Sequence, residues 1–434
     1  MTIEIELKFI ATPQAADRLG SQLSAWPHQY SAPLALTNIY YETPDNQLRR
    51  WDMGLRIRGI GEHYEMTLKV VGQTLGGLHQ RPEYNVDLTK PELDIARLPA
   101  EVWPEGCDIT SLQQQLRPLF TTHFNRERWL VTYGASQIEV ALDRGEVSAG
   151  ELSEPLQEIE LELKQGELAD VLALAAELGK AEGLRLGSRS KAARGYWLAQ
   201  GKPQQTLRPL PVLQVKPKAT VEEGMQAALS LALKQWQYHE ELWLRGEPAA
   251  QAAILEALET ARQTFLLFGA LVPRKASNQL RQKLTVLIEA LEHEPQTASI
   301  FCFSPPWLDA QLTFTRWLIN ADWRAFIDQK NTARLQGSFK RFADIMLGRV
   351  AADLKETFMV IRQHNEYLDK LPRLTRQLLV VHLLAGAYPQ QEVENWLQPW
   401  QQLAQAIQAD RYRELDALCR QAVKQPAFWL NGNV

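Results

Sequence analysis

Charged side chains occupy every second position in several strand-like segments of this chain. The segment Thr2–Ile10 places Glu4, Glu6 and Lys8 on one face and apolar residues on the other. Successive side chains of a β-strand point to opposite faces, so this segment has one charged face and one apolar face. A chain with many such strands must bury one side of its sheet and keep the other side polar.

The same alternation recurs through the first half of the chain. Further period-two segments lie at 37–42, 53–60, 64–71, 80–88, 124–133, 137–147 and 156–164. Their charged faces hold Arg56 and Arg58, Glu65 and Lys69, Arg81 and Glu83, Arg126 and Arg128, Glu139 and Asp143, and finally Glu158, Glu160 and Glu162. Gly, Pro and Asn separate the segments, which is typical of strands joined by turns.

A solvated outer face explains any single strand of this kind, because antiparallel sheets often alternate between apolar and polar sides. The whole set favours a closed barrel, since carboxylates concentrate on the first and last strands and Arg and Lys on those between. A barrel would collect these side chains in one chamber. Its carboxylates could hold a hard divalent cation, and its basic residues could bind a polyanion. Those are the parts that phosphoryl transfer requires.

The composition of the chain excludes several other functions. Lys and Arg number 47 against 51 Asp and Glu, a net charge of -4, so we expect neither a nucleic-acid nor a membrane partner. Cys107, Cys302 and Cys419 form no CxxC pair, which favours reduced thiols. The charged N-terminal segment does not resemble a signal peptide, and no apolar run is long enough for a membrane span. We therefore expect a cytoplasmic protein.

The pattern changes in the second half of the chain. From about Val221 onward, apolar residues follow the 3.6-residue period of helices, and a Pro-rich stretch precedes them. We therefore predict domains at 1–200 and 218–434, joined by a linker at 201–217.

Several motifs resemble the CYTH, or triphosphate tunnel metalloenzyme, superfamily. The first segment contains its ExExK signature at Glu4–Lys8. Further matching motifs are YYETPD at 40–45, LRIR at 55–58, TLK at 67–69, RPEYNV at 81–86, IEVALDRGEV at 138–147 and EIELEL at 158–163. With its helical second half, which resembles a CHAD domain, the chain is similar to the bacterial CYTH-CHAD inorganic triphosphatases.

This resemblance implies an α+β protein, with an eight-stranded antiparallel β-tunnel (CYTH) followed by an all-α helical-bundle domain (CHAD). It implies hydrolysis of inorganic triphosphate to diphosphate and phosphate with Mg²⁺ or Mn²⁺. The same tunnel supports thiamine triphosphatase, nucleotide triphosphatase and adenylate cyclase chemistry. A non-catalytic polyphosphate-binding protein is a further alternative.

The resemblance also implies roles for individual residues. Catalytic roles fall to Glu4, Glu6, Lys8 and Glu160. Substrate contacts fall to Lys8, Arg56, Arg58, Lys69, Arg81, Arg126, Arg128, Lys191 and Arg194. The implied metal ligands are Glu4, Glu6, Glu139, Asp143, Glu158, Glu160 and Glu162. Because the last strand carries three glutamates, its register, and so which of them bind the metal, stays open. Lys191 and Arg194 lie on a predicted helix that either closes one tunnel mouth or faces solvent.

The helical half carries the second implied binding function. CHAD domains are associated with polyphosphate, so the resemblance implies polyphosphate as a partner of this half. The candidate anion-binding residues are Arg262, Arg274, Lys275, Arg281, Lys283, Arg373 and Arg376. For any one of these residues, a solvated helix face is the simpler explanation.

Overall fold

A computed structural model gives the structure of the protein and describes residues 2–293 and 297–430. Within these residues the strands are β1 (Thr2–Ala11), β2 (His28–Glu42), β3 (Gly54–Ile60), β4 (His63–Lys69), β5 (Gln73–Leu75), β6 (Leu78–Leu88), β7 (Arg117–Tyr133), β8 (Ser136–Ala149), β9 (Leu152–Gln165) and β10 (Leu184–Leu186). The five helices of the same half are α1 (Pro13–Leu23), α2 (Gln47–Arg50), α3 (Ile109–Gln115), α4 (Leu168–Leu178) and α5 (Lys191–Ala199).

Eight of these strands form a closed antiparallel barrel. Neighbouring strands pair in the order β1, β9, β8, β7, β2, β3, β4 and β6, and β6 pairs again with β1. The short strands β10 and β5 lie beside β1 and β6. The predicted eight-stranded tunnel followed by a helical region is therefore confirmed.

The apolar face of the strands points out of the barrel and forms its core with the surrounding helices. Leu7 and Phe9 of β1 are fully buried, and α1 and α4 pack against β1 and β9. Because Glu6 and Lys8 alternate with these residues, their side chains point into the lumen. The barrel thus buries the apolar side of each strand and collects the charged side inside.

Helix α5 packs into one end of the barrel. Inward-facing apolar residues of β2, β7, β8 and β9 form one cluster with this helix: Leu36, Tyr40, Phe120, Phe124, Val147 and Leu156, packed with Tyr196, Trp197 and Leu198. The lumen therefore has an apolar end, which α5 covers, and a charged remainder.

The second half of the chain is helical. Its helices are α6 (Val221–Leu244), α7 (Ala250–Leu267), α8 (Asn278–His293), α9 (Ala298–Phe301), α10 (Pro305–Ile319), α11 (Gln329–Leu335), α12 (Phe339–Met359), α13 (Asn365–Leu384), α14 (Gln390–Gln408) and α15 (Tyr412–Val423). A capping box between Thr220 and Glu223 begins α6, and the side chain of Trp236 in that helix is almost fully buried. No helix in the described part of the chain is long and apolar enough to cross a membrane.

The chain divides into two compact units. The first contains Met1–Thr206 and Gln296–Arg316, and the second contains Leu207–Pro295 and Trp317–Val434. Much of the segment expected to be a linker packs against the helices of the second unit, where the backbone N–H of Leu213 donates to the carbonyl of His382 over 2.8 Å. The first unit also takes up a segment from the middle of the helical half.

Candidate active site

A charged cavity of about 540 Å³ occupies the lumen of the barrel. Its basic lining residues in the described chain are Lys8, Arg49, Arg56, Arg58, Lys69, Arg81, Arg126, Arg128, Lys164 and Lys191. Its acidic lining residues are Glu4, Glu6, Asp52, Glu65, Glu83, Glu139, Glu160 and Glu162. Ten cations thus line the cavity with eight carboxylates, and two further buried carboxylates, Asp143 and Glu158, pair with Lys8, Arg126 and Lys191.

The barrel register brings the first and last strands together. Lys8 of β1 is paired with Glu160 of β9, and Glu6 is paired with Glu162. On its other side β1 pairs with β6, where Glu4 lies opposite Arg81 and Glu6 opposite His79. The ExExK segment therefore lies between the acidic strand β9 and the mixed strand β6.

Three buried carboxylates form a cluster in the wall of the cavity. Oxygen atoms of Asp143, Glu158 and Glu160 all lie within 4.8 Å of one another. Lys8 donates to Glu158 and Glu160 over 2.9 Å each, and Lys191 lies 2.8 Å from Glu160 and 2.7 Å from Asp143. Cations from β1 and α5 thus neutralise the cluster.

Arg126 completes the neutralisation of these carboxylates. It donates to both oxygens of Asp143 over 2.7 Å and 2.6 Å, and to Glu160 over 2.6 Å. Burial alone would raise the pKa of Glu160, but Lys191, Lys8 and Arg126 hold it well below its usual value. This carboxylate therefore stays ionised, paired with side-chain cations.

Glu6 is in a different electrostatic environment. Burial and then the negative charge of Glu160 raise the pKa of Glu6 to about 7. No Lys or Arg of the described residues lies within ion-pair distance of its carboxylate, whereas the neighbouring Glu4 is paired with Lys69. A divalent cation beside Glu6 would relieve this repulsion, and an all-oxygen donor set suits Mg²⁺ and Mn²⁺. The residues of this wall therefore fit such a metal ion.

Three arginines of the cavity lining form a group around Arg58. Burial and then the charges of Arg56 and Arg126 lower the pKa of Arg58 to about 10. Asn38 accepts a 2.9 Å hydrogen bond from the Arg58 Nε and itself donates to Thr122 over 2.9 Å. A polyanion bound here would relieve the repulsion among the guanidinium groups.

The predicted helix at one tunnel mouth places only one of its two basic candidates in the cavity. Lys191 begins α5 and lines the cavity beside Ser190, Ala192 and Ala193. Arg194 is not among the lining residues, and it donates instead to the backbone carbonyl of Pro155. Lys191 can therefore contact a ligand in the lumen, and Arg194 supports the wall.

The remaining candidates occupy varied positions. Arg81 pairs with Asp52 at 2.8 Å, and Arg128 lies 3.7 Å from Glu139. Asp143 and Glu158 are fully buried behind the lining residues.

Several lining residues received no role from the sequence, among them Lys164, Tyr40 and Arg49. Lys164 continues the alternation of the last strand, so the period alone could have identified it. Tyr40 lies within a matched motif and continues the inward face of β2, and its hydroxyl is 3.5 Å from Arg56. Arg49 lies on the short helix α2, where no strand period points to it.

The helical half contains a smaller group of neighbouring basic residues. Burial and then the charges of Arg274 and Arg262 lower the pKa of Arg281, so these three side chains influence one another. Arg373 is paired with Asp353 and Arg262 with Glu259. Pairing with carboxylates therefore reduces the charge that Arg262 and Arg373 present to an anion.

Two family models match the chain. Residues 2–196 match the CYTH domain, and residues 227–421 match the CHAD domain. Over 199 residues the chain is 40% identical to the inorganic triphosphatase of Haemophilus influenzae. The matched segment covers 46% of this chain and 55% of that protein. The chain thus spans just over half the length of this curated relative.

Two solved structures are similar to parts of the chain. A Hippeastrum protein with a dominant triphosphatase activity is 18% identical, with a TM-score of 0.35, over 44% of this chain and 95% of its own. The CHAD domain of Ricinus communis is 14% identical, with a TM-score of 0.37, over 51% of this chain and 86% of its own.

Proposed function

Because this chain contains a CYTH domain and a CHAD domain, we propose that it hydrolyses inorganic triphosphate to diphosphate and phosphate inside its β-tunnel, with a divalent metal ion. The observation that carries this proposal is the lumen itself, where ten basic side chains and an acidic wall share one cavity of about 540 Å³. Such a chamber suits a small, highly charged anion that binds together with a metal ion.

Glu4 and Glu6 would hold the metal ion, together with a carboxylate of β9, either Glu160 or Glu162. The suitability of these carboxylates for a metal ion rests on the raised pKa of Glu6 and on its lack of an ion-pair partner in the described chain. When bound, Mg²⁺ or Mn²⁺ supplies charge neutralisation at phosphate oxygens and polarises the phosphorus that is attacked. Glu139 lies near this wall, whereas Asp143 and Glu158 are engaged by Lys191, Arg126 and Lys8.

The basic residues bind and orient the phosphate chain. Arg56, Arg58 and Arg126 offer planar guanidinium groups that make two-pronged contacts with phosphate oxygens, and Lys8, Lys69 and Lys191 act as point charges. Arg81 and Arg128 extend this lining. In-line attack by water at a terminal phosphorus then requires a proton acceptor, and Glu160 and Glu162 are the β9 carboxylates that face the cavity.

The choice of inorganic triphosphate rests on the lining of the cavity. A nucleotide or thiamine substrate needs a flat apolar surface for its ring. Tyr40 and His79 are the aromatic residues among the described lining residues, and each is only 7% exposed. One face of Tyr40 stacks on Phe120, with 4.5 Å between ring centroids. The aromatic residues among the described lining residues thus offer little accessible ring surface, which supports a substrate without an organic group.

Polyphosphate is the partner that we propose for the helical half, near Arg262, Arg274 and Arg281. The observation that supports this partner is that the charges of Arg274 and Arg262 act on Arg281 and lower its pKa. We place the protein in the cytoplasm, since its three cysteines are widely spaced in the sequence and form no CxxC pair, a pattern typical of reduced thiols.

A substrate panel tests the proposal. Phosphate release is measured from inorganic triphosphate, ATP, thiamine triphosphate and long-chain polyphosphate, each with Mg²⁺, Mn²⁺ or EDTA. We expect rapid release from inorganic triphosphate that stops with EDTA, and slow release from the organic substrates. Faster release from ATP or thiamine triphosphate would assign the tunnel to an organic triphosphate.

A further inference from the structure

A buried hydrogen bond joins Tyr196 of α5 to Glu42 of β2. The Tyr196 hydroxyl donates to Oε2 of Glu42 over 2.5 Å, and Glu42 is 2% exposed at the end of β2. Burial and then this hydrogen bond raise the pKa of Tyr196, so its hydroxyl stays protonated and remains a donor. The contact therefore fixes α5 against the loop that follows β2.

Glu42 also organises the short helix α2. Its Oε1 accepts from the backbone N–H of Leu48 and its Oε2 from that of Arg49, each over 2.9 Å. These N–H groups belong to the first turn of α2, where helix geometry provides no partner. Asn46 at the N-cap position makes no side-chain capping bond, so Glu42 serves as the cap instead. One carboxylate thus holds α2 and α5 together.

The Tyr196 ring makes a second contact between the same helices. The guanidinium carbon of Arg49 lies 5.0 Å from the ring centroid, within the range of a cation–π interaction. Arg49 also lines the cavity. Tyr196 therefore contacts Arg49 through its ring. Through its hydroxyl, Tyr196 donates to Glu42, the residue that caps the helix carrying Arg49.

The other cavity cation near this end comes from α5 itself. Lys191 begins α5, and its position depends on how closely the helix packs into the barrel. Gly195 allows this close packing, because a Cβ there would lie 2.1 Å from the Cδ2 of Phe120. Tyr196 follows Gly195 directly, and its ring meets Phe120 at 5.3 Å between centroids.

We propose that Tyr196 is a positioning residue, whose hydrogen bond to Glu42 locks α5 to α2 and thereby fixes Lys191 and Arg49 for binding of the triphosphate chain. Neither the hydroxyl nor Glu42 lines the cavity, so both act through these two cations. This inference rests on the proposed function, because it assumes that the ligand of the cavity is a triphosphate.

Tyr196→Phe removes the hydroxyl and keeps the ring. We expect KM for inorganic triphosphate to rise about tenfold, the scale of one hydrogen bond to a charged group, while kcat stays within about threefold. Tyr30→Phe is the matched control, because Tyr30 donates to Glu127 over 2.8 Å at an exposed site away from the cavity. It should leave both constants unchanged.

A background variant separates positioning from general stability. In a chain with Lys191→Met and Arg49→Met, Tyr196→Phe should leave KM unchanged, because the groups that it positions are absent. An unchanged KM for Tyr196→Phe in the native background, or an equal rise in both backgrounds, would overturn the inference. A merely destabilised protein would show a lower kcat at constant KM.

Two further measurements keep the outcomes separate. If the native protein does not hydrolyse triphosphate, the proposed function fails, and the same comparisons are made on the Kd for triphosphate by calorimetry. If Tyr196→Phe does not fold, Glu42→Gln replaces it, since Gln retains one oxygen acceptor but loses the second. It should raise KM in the same direction, and an unchanged KM would contradict the positioning role.

Discussion

The ammonium of Lys8 lies 2.9 Å from Oε1 of Glu160, at paired positions of the antiparallel strands β1 and β9. Both groups are buried, and the Glu160 carboxylate also accepts hydrogen bonds from Lys191 and Arg126. Carboxylates of the wall therefore neutralise the cations on this side of the lumen. An anion that binds here must compete with these carboxylates for the same cations.

Replacing Lys8 should destabilise the barrel. Lys8→Met leaves Glu158 and Glu160 buried with one cation fewer, so we expect the free energy of unfolding to fall by about 3 kcal/mol. Chemical denaturation of the full chain measures this change. Lys164→Met is the control, because its side chain is 40% exposed beside Glu162 and its loss should cost less than about 1 kcal/mol. Equal losses for the two variants would contradict the account.

Asp143 should contribute to the acid sensitivity of the fold. Burial alone would raise its pKa, but Lys191 and Arg126 lower it, so the unfolded chain binds the proton more readily than the folded one. The stabilisation is complete above the unfolded pKa of about 3.9 and is lost as the pH falls through the folded value. Asp143→Asn should therefore show a shallower loss of unfolding free energy between about pH 5 and pH 3.

Denaturant titrations at several pH values measure that slope. Asp17→Asn serves as the control, because the Asp17 side chain is 69% exposed. It should keep the native slope. A native slope in Asp143→Asn would show that Asp143 does not carry this part of the acid sensitivity.

The arginine group should respond to an anion without a metal ion. Inorganic triphosphate in EDTA should raise the thermal unfolding midpoint, because a ligand that binds only the folded state stabilises it. Arg58→Met should reduce this shift, since the charges of Arg56 and Arg126 act on Arg58 and an anion would relieve that repulsion. Arg144→Met is the control, because Arg144 pairs with the exposed Asp17 and does not line the cavity. A full shift in Arg58→Met would remove Arg58 from the proposed phosphate contacts.

The two-residue period of the sequence was enough to predict the eight strands of the barrel. It was less informative about their ends: β2 begins at His28 rather than near residue 37, because its first half is exposed on both faces and contains Pro33. The three-residue strands β5 and β10 are too short to show any period. The segment 296–316 groups with the first unit through long-range packing, which no local pattern reports.

The inward residues followed from the same alternation, but their partners did not. Which cation meets which carboxylate depends on barrel closure between β1 and β6 and on how far α5 enters the lumen. A local sequence period predicts neither the barrel closure nor the depth of α5. The role of Glu42 was missed for the same reason, since its contact with Tyr196 joins residues 154 positions apart.

The most direct test of the central claim is phosphate release from inorganic triphosphate by the native chain and by Glu6→Gln, with Mg²⁺ and with EDTA. Glu151→Gln, in an exposed turn, is the matched control. We predict rapid release by the native and control proteins with Mg²⁺ and none with EDTA. In Glu6→Gln the rate should fall by about 100-fold or more, the scale of losing one charge-stabilising contact. Full activity of Glu6→Gln, or no release by the folded native protein, would contradict a metal-dependent triphosphatase in this tunnel.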